Sequence, residues 1–193
     1  MISDNLEHKK DEELVPLILQ NQENFLYIVR RYEEKLSRYI TRISGLPKED
    51  VEDLLQDIFI KIYQNLNDFD TSLKFSSWIY RIAHNETISN YRKLKSRPTS
   101  VSYDDDPALA SQLASKTDFV KEIEKEYDAK TIRQVLKKMD EKYREVLVLK
   151  FIEEKDYNEI SDILQKPLGT VGAMINRGKK QFKEIVRKNK ISF

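Results

Sequence analysis

A helix is predicted over residues 168–188, and its outward positions are Thr170, Gly172, Ala173, Asn176, Arg177 and Lys180. Asn and Arg can pair with base edges, while Lys and Arg neutralise phosphates. The opposite positions, Val171, Ile175, Phe182 and Ile185, form an apolar stripe. That stripe must pack on Ile160, Ile163 and Leu164 of a shorter helix predicted over 156–165. Pro167 and Leu168 make the turn between the two, and Thr170 is placed to cap the second. A short helix, a tight turn and a second helix with a basic continuation outline a helix-turn-helix, which sets one helix in a DNA major groove. From 177 to 190, Arg177, Lys179, Lys180, Lys183, Arg187, Lys188 and Lys190 stand against Glu184, seven minus one or about +6. The competing reading of this segment is a helical hairpin with a solvated basic face. Gly172 and Ala173 have little to read a base with.

A second cluster is acidic. Glu49, Asp50, Glu52, Asp53 and Asp57 crowd the first turns of a helix predicted over 48–66. The helix macrodipole accounts for part of that placement. The same helix carries the clearest apolar stripe in the chain: Val51, Leu54, Leu55, Ile58, Phe59, Ile62 and Leu66. A third cluster is aromatic, then basic. A helix from Phe75 to Lys95 begins with Trp78, Ile79, Ile82 and Ala83 facing inward. It ends in Arg92, Lys93, Lys95 and Arg97, with no acid between 87 and 97. Catalysis has no comparable foothold: there is no phosphate-binding Gly loop, metal cluster or nucleophile–base pair. With no Cys and two His, disulfides and thiolate metal sites are excluded, and no metal or other cofactor is expected. His84 reads as a polar helix residue.

The elements that position these clusters are helical throughout. Four Gly and five Pro in 193 residues are few for a strand-and-turn protein. The predicted fold is all-α, with two small helical domains joined by a flexible linker. The first spans 11–97. It comprises helices over 11–21 (Leu14, Val15, Leu17 and Ile18 inward), 23–44, 48–66 and 75–95, with Gly45 and Pro47 ending the second of them. Residues 98–117, with Pro98, Pro107 and the Asp104–Asp106 run, are the linker; a transient helix is placed at Leu109–Leu113. The second domain spans 118–188, with Ile132, Val135, Leu136 and Met139 on one helix and Val146, Leu147 and Phe151 on the next. Charged residues are 35% of the chain yet the net charge is +1, so nucleic-acid binding must be sought locally. The N-terminus lacks a signal-peptide apolar core, and no apolar run approaches the ~20 residues of a membrane span. A soluble, cytoplasmic protein is expected.

Three stretches in order carry a family resemblance: Glu52-Asp-Leu-Leu-Gln-Asp-Ile-Phe-Ile-Lys-Ile-Tyr63, Phe75-Ser-Ser-Trp-Ile-Tyr-Arg-Ile-Ala-His-Asn85 running on to Tyr91-Arg92-Lys93, and Gly169-Thr170-Val171. Together they resemble a bacterial RNA polymerase sigma factor of the small extracytoplasmic-function group, from about Asp11 to Arg187. The resemblance implies that Asp53, Leu54, Gln56, Asp57 and Phe59 dock on a coiled coil of the largest polymerase subunit. A flap-type region of polymerase is a further contact. Asp53, Gln56 and Asp57 lie on an outer face, able to meet Arg or Lys; Leu54 and Phe59 belong to the apolar stripe and read first as core. It also implies that Phe69 and Asn85 form a pocket for a flipped base of the minus-ten element, with Arg81, Tyr91, Arg92, Lys93 and Lys95 on the backbone. Trp78 stays open between base contact and core.

The minus-thirty-five element then falls to Thr170, Gly172, Ala173, Asn176, Arg177, Lys179, Lys180 and Lys183. Family members commonly carry Lys or Arg, Ser and Arg where this chain has Gly172, Ala173 and Met174, so an altered readout with more phosphate contact is expected. The family's frequent Asp is also absent at Ser89. The linker's Asp104, Asp105 and Asp106 either mimic phosphates in the polymerase cleft or form a solvated tether. The implied partners are core RNA polymerase, promoter DNA and a membrane-bound anti-sigma factor, with no small-molecule substrate. The alternatives are a freestanding helix-turn-helix regulator, which would act as a symmetric dimer, and a polymerase-binding regulator with degenerate DNA recognition. No long heptad seam for a dimer is present.

Overall fold

The computed structural model describes residues 6–95 and 129–188, and the chain divides into two compact units within 1–99 and 100–193. The linker 98–117, its acidic run and the Leu109–Leu113 segment lie outside the described residues, as do Arg97 and Lys190. All described regular structure is helical.

In the first unit, α1 (Asp11–Gln20) leads through a 3-10 turn at Gln22–Asn24 into α2 (Phe25–Ser44). The predicted stop at Gly45 is real: it takes φ 70°, and its N–H donates to Thr41 O at 2.9 Å. Only glycine adopts this left-handed cap without cost. Pro47 then opens α3 (Lys48–Gln64), and a 3-10 turn at Leu66–Asp68 leads through a loop to α4 (Phe75–Lys95). Leu36, Tyr39, Ile40, Ile58, Ile62 and Ile79 are all but fully buried between α2, α3 and α4. His84 is buried as well, with Nδ1 3.0 Å from the Tyr39 hydroxyl, so its polar ring is satisfied inside the unit. The inward set of α4 differs from the expected one: Ile79 and Ala83 are fully buried, while Trp78 and Ile82 are half-buried at the edge. Leu26 on α2 is 43% exposed.

The second unit contains α5 (Ala129–Lys138), α6 (Glu141–Phe151), α7 (Tyr157–Leu164) and α8 (Leu168–Lys188). Val171, Ile175 and Phe182 of α8 are buried with Ile160 and Ile163 of α7 and with Val146, Leu147 and Leu149 of α6, while Leu164 and Ile185 sit at the margin. Gly178 lets α8 approach α6 closely, since a Cβ there would lie 3.0 Å from Leu147 Cγ. Gly172 has no such duty, because a Cβ there would meet only Tyr157 Cε1 at an ordinary 3.8 Å.

Candidate functional site

The turn before α8 runs through Gln165, Lys166 and Pro167, as expected for Pro167, whereas Leu168 already belongs to α8. Asp156 opens α7 with a reciprocal cap: its Oδ1 accepts from Glu159 N at 2.9 Å, and Glu159 Oε2 accepts from Asp156 N at 2.9 Å. Gln165 closes the helix in the left-handed region at φ 52°, and Ser161 Oγ donates to Lys166 O at 2.6 Å. Leu168 is the first residue of α8 and is 49% exposed. The expected cap at Thr170 is corrected accordingly. Val171 N donates to Pro167 O at 3.0 Å, so Pro167 is the cap residue immediately before the helix and Thr170 lies within the first turn. Pro is suited to a helix start because it has no N–H to leave unpaired there.

On the outer side of α8, Thr170, Asn176, Arg177, Lys180 and Lys183 are exposed, and Gly172 and Ala173 are half-buried. Helical spacing sets Ala173, Asn176, Lys180 and Lys183 in one row with Arg177 beside it. Lys179 departs from this face: it is half-buried, with Nζ 5.2 Å from the Phe151 ring centroid. Met174 is buried, 8% exposed, so it belongs to the core of this unit and not to the outer face.

On α3, Asp53, Gln56 and Asp57 are exposed, whereas Leu54 and Phe59 are buried. Leu54 and Phe59 therefore support the outer face from behind; Phe59 packs edge-on against Phe25 at 6.3 Å. The nearby cations are already engaged elsewhere, Lys48 with Glu52 at 3.4 Å and Lys61 with Glu86 on α4. Neither Asp53 nor Asp57 has an ion-pair partner among the described residues. Ile60, 56% exposed, continues the same row one turn on from Gln56 and Asp57, and Tyr63 is 40% exposed beyond it. Sequence reasoning missed Ile60; its signal was an apolar residue falling on the polar side of the helix.

The aromatic cluster lies where the 67–74 loop meets α4. Phe69 is buried, its ring centroid 5.2 Å from both Phe75 and Trp78, and Phe75 and Trp78 stand 5.5 Å apart. Phe69 is thus the floor of this cluster, and Trp78 is its half-exposed member. The loop is pinned by Asp70, whose Oδ1 accepts from Ser72 N at 2.9 Å. Hydrogen bonds from Ser72 hold the Asp70 carboxyl below its usual range. Trp78, Arg81, Ile82, Asn85, Ser89 and Arg92 recur at helical spacing, so they share one side of α4. Arg81 is half-buried, and Asn85, Arg92 and Lys93 are exposed; Tyr91 is half-buried and Lys95 ends the helix. No cluster able to hold a metal occurs among the described residues, and no helix among them is long and apolar enough to cross a membrane.

A helix-turn-helix with a cationic outer face, preceded by a helical unit that combines an acidic face with an aromatic-basic helix, defines a transcription protein of the initiation-factor class. The Sigma-70 region 2 family matches residues 28–97 and the Sigma-70 region 4 family matches residues 129–182. The chain is 36% identical over 174 residues to the ECF RNA polymerase sigma factor SigW of Bacillus subtilis, covering 86% of this chain and 91% of that one. Its fold is similar to that of CnrH, solved in complex with the cytosolic domain of CnrY (TM-score 0.67, 24% identity, 92% and 97% of the two chains). It is also similar to that of the sigma factor RpoE from Bartonella quintana, solved with the anti-sigma factor NepR (TM-score 0.63, 20% identity, 86% and 98%). The chain belongs to the sigma-70 family, in its extracytoplasmic-function group.

Proposed function

We propose that this chain is an alternative sigma factor that docks on core RNA polymerase through α3 and holds a promoter at two points. The observation that carries this reading is the pairing, in one chain, of an unpaired carboxylate face on α3 with a helix-turn-helix whose outer face is cationic. Asp53, Gln56, Asp57 and Ile60 offer acceptors and an apolar centre to a basic, partly apolar helix pair on the largest polymerase subunit. The second unit takes the minus-thirty-five element on the outer side of α8, with a flap-type region of polymerase holding that unit in place. Asn176 and Arg177 read base edges there, and Lys180 and Lys183 hold phosphates.

The Trp78–Asn85–Arg92 side of α4 takes the minus-ten element. Opening needs no catalytic centre. Each stacked base contributes ~1–3 kcal/mol against ~1.4 kcal/mol for an average base-pair step. A few captured bases therefore balance a short bubble. Trp78 is the accessible ring for that stacking, and Phe69 shapes the cluster from below. The protein acts in the cytoplasm, where polymerase and promoter are, and a membrane-bound anti-sigma factor is a further partner.

Transcript-start mapping tests the reading. Core polymerase with the purified chain and genomic fragments is expected to yield new, discrete starts absent without the chain. No new starts, together with a chain that alone shifts a palindromic duplex, would establish the freestanding-regulator alternative instead.

A further inference from the structure

The aromatic cluster stands on the start of α4, which is tied to another helix. The first turn of α4 contains no acid, and the residue before it is Lys74. The Phe75 N–H donates instead to Glu12 Oε1 of α1 at 2.8 Å, across 63 positions of sequence. Among the four N–H groups that a helix leaves open at its start, this one is satisfied from another element. A carboxylate there also faces the positive end of the helix dipole.

Glu12 is itself held in place. The adjacent Asp11 is gripped from α2: Arg31 Nη1 donates to its Oδ1 at 2.6 Å, and the Tyr32 hydroxyl donates to its Oδ2 at 2.5 Å. Arg31 reaches past Asp11 to the carbonyls of Glu7 at 2.6 Å and Lys9 at 2.8 Å, fastening the turn that leads into α1. Burial and the bond to Asp11 push the Tyr32 phenol far above its usual range. The Tyr32 ring meets Phe75 edge-on at 6.1 Å, which closes the circuit on the capped residue. Phe75 in turn packs on Phe69 and Trp78. A chain of contacts thus runs from α2 through α1 to the N–H that fixes where α4, and with it Trp78, begins.

We propose that Glu12 is a positioning residue for promoter strand capture: by capping Phe75 it sets the first turn of α4 and the seat of the Phe69–Phe75–Trp78 cluster. The proposal rests on the strand-capture reading of α4 given above. Glu12 sits on a different helix from the α3 docking face, so capture and docking separate in its variants.

The test uses holoenzyme formed from core polymerase and full-length chain, with wild type, Glu12→Ala and Glu12→Gln compared. The readouts are affinity for core polymerase, thermal unfolding of the free chain, and affinity of the holoenzyme for a single-stranded minus-ten oligonucleotide. Glu12→Ala is expected to weaken single-strand capture about fivefold, the scale of a lost cap, with polymerase affinity within about twofold. Glu12→Gln keeps an acceptor in place and is expected to restore most of the capture. Capture by Glu12→Ala equal to wild type overturns the proposal. So does a loss that tracks thermal unfolding and polymerase affinity alike, or that Gln fails to restore. A wild-type holoenzyme that captures no single strand overturns the strand-capture reading of α4 itself, and the role of Glu12 with it.

Discussion

Replacing Asp53 and Asp57 together by Lys is expected to abolish docking on core RNA polymerase, with a loss of more than about a hundredfold in affinity. Both carboxylates are exposed on one side of α3, and neither has an ion-pair partner among the described residues. A cationic partner is the one kind of surface against which such a row gains charge-assisted bonds. Reversal sets four charge units of change against that partner, and like charges brought together at an interface cost several kcal/mol. The fold should be unaffected, because the apolar stripe of α3 that builds the unit is untouched. Titration of labelled polymerase with the double variant, beside circular dichroism of the free chain, separates the two effects. Affinity within about threefold of wild type would remove α3 from the docking surface.

Arg177→Ala is expected to cost about 1–3 kcal/mol in binding of the upstream element, which is roughly tenfold to a hundredfold. Gly172 and Ala173 cannot donate to base edges, and Met174 is turned into the core. On the proposed reading, base recognition on this helix concentrates on Asn176 and Arg177, and one residue carries more than it would on a helix with several cationic readers. Lys180→Ala, a phosphate contact, is expected to weaken binding evenly across sequences and to lower the salt slope by about one unit. Holoenzyme binding to duplexes that vary one base at a time measures both. Unchanged sequence preference in Arg177→Ala would assign the readout elsewhere.

Much of this arrangement was legible in the chain because helices advertise themselves locally. The stripe from Val51 to Ile62 identified α3 and its buried side, and the same period reversed identified the outer row of Asp53, Gln56 and Asp57. Gly45 and Pro47 marked the break between α2 and α3 because their backbone restrictions act wherever they stand. The helix-turn-helix was legible in outline, but its turn was not. Gln165 adopts a left-handed cap usually given to Gly or Asn, so no residue type announced it. The burial of Phe69 beneath Trp78 and Phe75 was not legible, since packing of a non-periodic segment leaves no pattern. Glu12 was invisible for a different reason. Its bond to Phe75 joins residues far apart in sequence, and an acid in a first turn already has a local explanation.

In the proposed mechanism, two separate helical units of one chain hold two promoter elements in a register set by polymerase. The most direct measurement is transcription from a promoter this chain selects, with the spacer between the two elements lengthened by five base pairs. That insertion turns one element about half a helical turn from the other, since B-DNA repeats every ~10–10.5 base pairs. Transcription is expected to be lost while polymerase docking persists. Transcription at the original level from the lengthened promoter would contradict the two-point grip.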